Sequence, residues 1–224
     1  VRKDQLGAVE QTAADVDRAL IVAESRWAQT PCSAKSTAGA ISLANGFLQL
    51  DLSTEKGLKE ARLTNRVTDE SAATDDSTAF VLHTSAGDLT PDRFKIAKTE
   101  VVSAGPETAE ARVDLTSPEL DVAVHYRLRR QDHFYHKWLT LTNKGNADLQ
   151  VQDATLSALQ LPLPAALFSG PGHQDLSYPI TTLKKGGFFS CIETVHWDHV
   201  GDALTYYPGE TVKPGGTYAT EKAV

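Results

Sequence analysis

Methionine is absent from this 224-residue chain, and cysteine occurs only twice. Cys32 and Cys191 lie too far apart to read as a metal motif. They fit one disulfide in an exported protein or two buried thiols. No run of about 18 apolar residues is present, so no transmembrane helix and no membrane partner are expected. A basic excess is lacking too, since 22 Lys and Arg face 29 Asp and Glu for a net charge of −7. The one basic cluster, Arg127-Leu128-Arg129-Arg130, would be divided between two faces of a strand, so nucleic acid is not an expected partner. Phosphate-binding loop, dinucleotide fingerprint and nucleophile elbow are all missing, and no cofactor is expected. The chain opens at Val1 with no signal peptide, which reads as an N-terminal segment removed or not included.

What is present is a β-rich pattern with an apolar fraction of 41%, enough for a sizeable core. The organising stretch is 121–143, DVAVHYRLRRQDHFYHKWLTLTN. Val122, Val124, Tyr126 and Leu128 alternate with His125, Arg127 and Arg129, the mark of a strand with one buried face. Residues 130–133 are polar enough for a turn. Residues 135–142 read as a second strand whose Trp138, Leu139 and Leu141 would feed the core. Asn143-Lys144-Gly145-Asn146 then turns the chain into a third strand from Leu149, making an antiparallel meander.

Around the meander, residues 3–28 carry apolar side chains at helical spacing, from Val9 to Trp27, and Thr30-Pro31 stops them. Residues 33–39 read as a small-residue linker, which places the domain boundary so that 1–37 is helix and linker and 38–224 the β domain. Asn45-Gly46 is the strongest hairpin signal, joining strands at 41–43 and 47–52. Residues 66–77 read as an exposed acidic loop, and 80–83, 94–103 and 109–115 as strands. Further strands are expected at 156–163, 186–194, 204–207 and 217–220, with 196–202 a polar aromatic loop. Strands and turns every ten residues or so predict an all-β fold, a large antiparallel β-sandwich with one N-terminal helix.

The order of these features resembles the β-supersandwich (galactose mutarotase-like) domain that precedes the catalytic barrel in glycoside hydrolases of the family 36 α-galactosidase type. The matching residues are Asn45-Gly46-Phe47 with 58–65, Phe80-Val81-Leu82 with Gly87-Asp88-Leu89, and above all 124–143, ending in Thr142-Asn143-Lys144-Gly145. The loop 170–174, Gly187-Phe188-Phe189 with Glu193, and Tyr207-Pro208-Gly209 with Pro214-Gly215 complete the match over roughly 38–222. Where relatives place an apolar residue or proline after the glutamate, this chain reads Glu193-Thr194-Val195-His196. The family's catalytic aspartates belong to the barrel, so the resemblance assigns no catalytic residue here. It implies a non-catalytic module packing on a barrel of the same polypeptide, with a saccharide as possible ligand and export as the expected destination.

The candidate substrate-binding residues are Glu193, His196, Trp197, Asp198 and His173. Trp197 offers a flat apolar face to pyranose C–H groups, and Glu193 and Asp198 offer acceptors to hydroxyls. His196 and His199 with Glu193 or Asp198 have ligand chemistry for a divalent metal, but all come from one short segment, and no metal is assigned. His173 sits in the Gly-rich loop SGPGHQDLSY, which also reads as an ordinary long sandwich loop. Asp132, His133 and His136 flank the central hairpin and read first as a solvated turn. Two other functions stay open. A stand-alone saccharide-binding module would use Trp197. A mutarotase-like isomerase would need an acid and a base on opposite sides of a sugar ring, with Glu193 and His125 or His173 as the candidates.

Overall fold

The computed structural model describes residues 26–73, 77–158, 166–169, 177–182, 185, 187–193, 197–200 and 203–224. The first strands are β1 (Ser33–Thr37), β2 (Ala40–Ala44), β3 (Leu48–Ser53), β4 (Lys59–Asn65) and β5 (Glu70–Ala73). They form one sheet in chain order. β6 (Val81–Thr84) and β7 (Gly87–Leu89) follow, then a 3-10 turn at Pro91–Arg93. Next come β8 (Lys95–Ala104), β9 (Thr108–Thr116), β10 (Leu120–Arg129), β11 (His136–Asn143) and β12 (Leu149–Ala158). β13 (Ala166–Ser169), β14 (Ser177–Thr182) and β15 (Gly187–Phe189) make a small sheet of their own. The last strands are β16 (Trp197–Val200), β17 (Ala203–Tyr206), β18 (Glu210–Val212) and β19 (Thr217–Ala219).

Two further sheets complete the fold, one ordered β19-β11-β10-β9-β8 and one ordered β16-β17-β12-β6-β7, with β18 beside β12. All named strands pair antiparallel. One apolar cluster draws on three sheets, with Leu50 and Leu63 from the first, Val113, Val124 and Leu139 from the meander, and Leu82, Ala154 and Leu204 from the third. The chain is therefore an all-β antiparallel sandwich. Burying each such leucine or valine contributes about 1.5–3 kcal/mol, the main force joining the layers.

β10 follows its period-two pattern, with Val122, Val124, Tyr126 and Leu128 buried and His125 and Arg127 on the other face. β11 corrects the expectation for Trp138. It stands outward with Thr140 and Thr142, while Lys137 points inward with Leu139 and Leu141. Residues 33–39 are not a linker. Ser33–Thr37 is a largely exposed edge strand whose small polar side chains suit a solvated ladder, and Gly39 supplies the positive φ of its turn into β2.

The expected loop at 66–77 contains β5, paired to β4 and anchored by fully buried Ala72. β12 runs unbroken to Ala158 with register shifts against both neighbours, where two strands were expected. Within 186–194 the strand is limited to Gly187–Phe189, with an isolated bridge at Ile192. Trp197–Val200 is strand β16, paired with β17, rather than a loop. Of the N-terminal helix, residues 1–25 lie outside the described residues, and 26–28 are helical.

Candidate functional site

Asn45 organises one end of the sandwich. Its buried side chain donates to the carbonyls of Arg129 (2.7 Å) and Asp132 (2.8 Å) and accepts from the amides of Phe47 and Leu48, both at 2.8 Å. A short polar side chain bonding its own backbone two and three residues on is the usual chemistry of asparagine at a turn. The turn itself is centred on Gly46 and Phe47, closed by Asn45 N–H donating to the Leu48 carbonyl at 3.0 Å. Gly46 is needed for space, because a Cβ there would stand 1.9 Å from the Trp27 carbonyl oxygen. The β2–β3 turn is thus locked to the β10–β11 loop, and Phe47 stacks on His133 with centroids 3.8 Å apart.

Between these loops opens a cleft of about 210 Å³, walled by Phe47, Leu63, Val67, Phe134 and Tyr135, with Lys137 and Ser157 also lining it. Lys137 is fully buried, and its ammonium donates to the Glu60 carboxylate, also fully buried, and to the Ala79 carbonyl. Tyr135 donates to the second Glu60 oxygen at 3.4 Å, and Lys137 Nζ lies 5.4 Å from the Tyr126 ring centroid. Burial holds the Lys137 amine below the ordinary lysine range, against the opposing pull of Glu60. Burial and then the Glu60 charge push the Tyr126 and Tyr135 phenols well above theirs. Ser157 Oγ is buried without a hydrogen-bond partner among the described residues.

Glu193 and His136 are not among the residues that line this cleft. Glu193 Oε1 lies 3.0 Å from His136 Nε2, and Oε2 lies 4.0 Å from Lys222 Nζ. Backbone bonds hold it there, since Glu193 N–H donates to Lys222 O, and Lys137 and Ala223 exchange bonds across β11. The expected partners of Glu193 are different groups. His125 lies two positions along the partner strand from the residue opposite His136, and is stacked on Trp138 at 4.7 Å with the rings parallel to within 1°. The other acid–base pair open to an isomerase, Glu193 with His173, has its histidine outside the described residues. Trp197 and Asp198 belong to β16, opposite Tyr206 and Thr205, whereas Glu193 bonds the chain at Lys222. His196 and His173 lie outside the described residues. Both cysteines are unpaired, and burial first, among other causes, raises their thiol pKa values, so neither is an activated thiolate.

The inward position of Lys137 carries a signal in the sequence. In HKWLTLTN, Lys137 is in phase with Leu139 and Leu141, and Trp138 with two threonines. Glu60 had no such signal, because Ala61 is a bulge residue between the pairs Asp51↔Arg62 and Leu52↔Glu60, which shifts the alternation. Compared with protein-family models and with curated proteins, the sequence matches none.

Proposed function

We propose that this chain is the non-catalytic supersandwich module of a carbohydrate-active enzyme, packing on a catalytic barrel of the same polypeptide. The observation that carries the reading is the chemistry of the cleft. Its walls are largely apolar, with Phe47, Leu63, Phe134 and half-exposed Val67 beside the exposed His133, while the charge that lines it, Lys137, is already neutralised by Glu60. Such a surface receives apolar side chains of a neighbouring domain and offers no free acid–base couple. Glu193, bonded to His136 outside the lining of this cleft, supplies a polar contact toward a sugar or toward the neighbouring domain. An antiparallel sandwich in the strand order described is compatible with the family 36 resemblance carried by Asn45-Gly46-Phe47 and 124–143.

The test is the native polypeptide. A product far heavier than 24.2 kDa that hydrolyses aryl glycosides supports the module reading. Phe134→Asp in that product should expose the module to limited proteolysis while leaving its isolated fold intact. A native product near 24.2 kDa overturns the proposal, since it leaves no room for a barrel.

A further inference from the structure

The outward face of β8–β11 holds a feature independent of the cleft. Its residues lie in cross-strand rows, of which the middle one is Asp114–Ala123–Thr140. The flanking rows are Arg112–His125–Trp138 and Thr116–Asp121–Thr142. Ala123 contributes only a methyl between longer neighbours, and Ala97 occupies a bulge in β8 beside it. The result is a shallow groove of about 320 Å³ running across the strands. On one side Arg127 lies 4.9 Å above the Trp138 ring and His125 stacks on it, so that row is held in place. His125 Nε2 lies 3.1 Å from Thr140 Oγ1, tying the row to the groove floor.

The charges decide what fits. Arg112 Nε bonds Asp114 Oδ1 at 2.6 Å, and Lys144 Nζ bonds Asp121 Oδ1 at 2.6 Å. Beyond the groove, Arg127 pairs with Glu110 and Lys98 with Glu100. Within the groove the Arg112–Asp114 and Lys144–Asp121 pairs each cancel, so a charged ligand would have to break a pair to gain one there, while the exposed Lys95, opposite Thr116 on β8, stands at the groove's edge. Hydrogen-bonding capacity nevertheless remains. Each pair in the groove engages Oδ1, so both Oδ2 atoms keep acceptor capacity, and the Arg112 guanidinium has more N–H donors than its Nε. The Arg112 and Asp121 side chains are each 44% exposed and open to solvent. Paired charges, adjacent donors and acceptors, and a methyl floor match a molecule whose hydroxyls both donate and accept and whose ring presents C–H groups.

We infer that this groove binds a neutral oligosaccharide, a choice among neutral polyols that rests on the module reading above. The experiment is isothermal titration calorimetry of the chain with short neutral galacto-, gluco- and manno-oligosaccharides, and with an oligouronate as the charged counterpart. At least one neutral probe should bind and the oligouronate should not. Ala123→Leu, which fills the groove, should weaken binding by roughly tenfold or more. Thr140→Val, a milder change of similar volume, should weaken it in the same direction and guards against a misfolded first variant. Absence of binding by the wild-type chain overturns the inference, as does binding that neither variant changes. A heavy, glycoside-hydrolysing native product whose groove binds nothing overturns the groove alone. A binding groove in a native product near 24.2 kDa overturns the module reading alone.

Discussion

Lys137 carries an ammonium into an apolar core of aliphatic and aromatic side chains, with the Glu60 carboxylate beside it. Breaking a buried ion pair by removing one partner is strongly destabilising, so Lys137→Met should destabilise the fold by about 3–5 kcal/mol. The paired change with Glu60→Leu should recover most of that loss in urea titrations. Recovery shows that the pair confers little net stability; its absence would show that the pair itself stabilises the fold. The tyrosines nearby give the molecule a pH dependence whose sign follows from burial. Tyr126 and Tyr135 hold their protons more tightly folded than unfolded. Above the ordinary tyrosine pKa of about 10, the unfolded chain loses those protons first and stability falls. Lys137 acts oppositely, because its amine is depressed in the folded state, so its contribution rises with pH up to the ordinary lysine value. Tyr126→Phe should therefore flatten the decline above about pH 10, and an unchanged slope would remove Tyr126 as its source.

Among elements, the turns are as specifically built as the strands. Asn45 serves four backbone groups at once and joins two hairpins that are far apart in sequence. Asn45→Ala should cost at least about 2 kcal/mol, given 1–3 kcal/mol for each buried group left unpaired. A lower denaturant midpoint at constant slope would show this. Gly46→Ala should cost about 1–3 kcal/mol by forcing the Trp27 backbone away, an overpacking effect. Its signature would be a change in tryptophan fluorescence in the folded state. Asn143 plays the matching part at the far end of β11, donating to the Ala147 and Val212 carbonyls at 2.8 Å and accepting from Gly145 N–H at 2.9 Å. The Thr-Asn-Lys-Gly ending of the meander thus has a structural reason, in that its asparagine ties β11 to the chain beside β12.

At the scale of the whole molecule, a single apolar cluster reaches through three sheets, so the described layers should melt together. Tryptophan fluorescence and far-ultraviolet circular dichroism should give coincident urea transitions; separated midpoints would mean that the sheets unfold independently. The all-β class, the meander and the inward face of β10 were legible from the sequence, because period-two alternation and turn residues are local properties that the backbone obeys wherever one face is buried. The inward position of Lys137 was legible by the same rule and was obscured by the hydrophobicity of Trp138. What no local pattern contains is which distant groups meet. The Ala61 bulge that turns Glu60 inward, the contact of Glu193 with His136 rather than His125, and the cancellation of charge along the outer rows all depend on strand order and register. Period and turn chemistry determined the elements. Only the tertiary structure decided the partners, because register between strands far apart in sequence is set by burial across the whole sandwich.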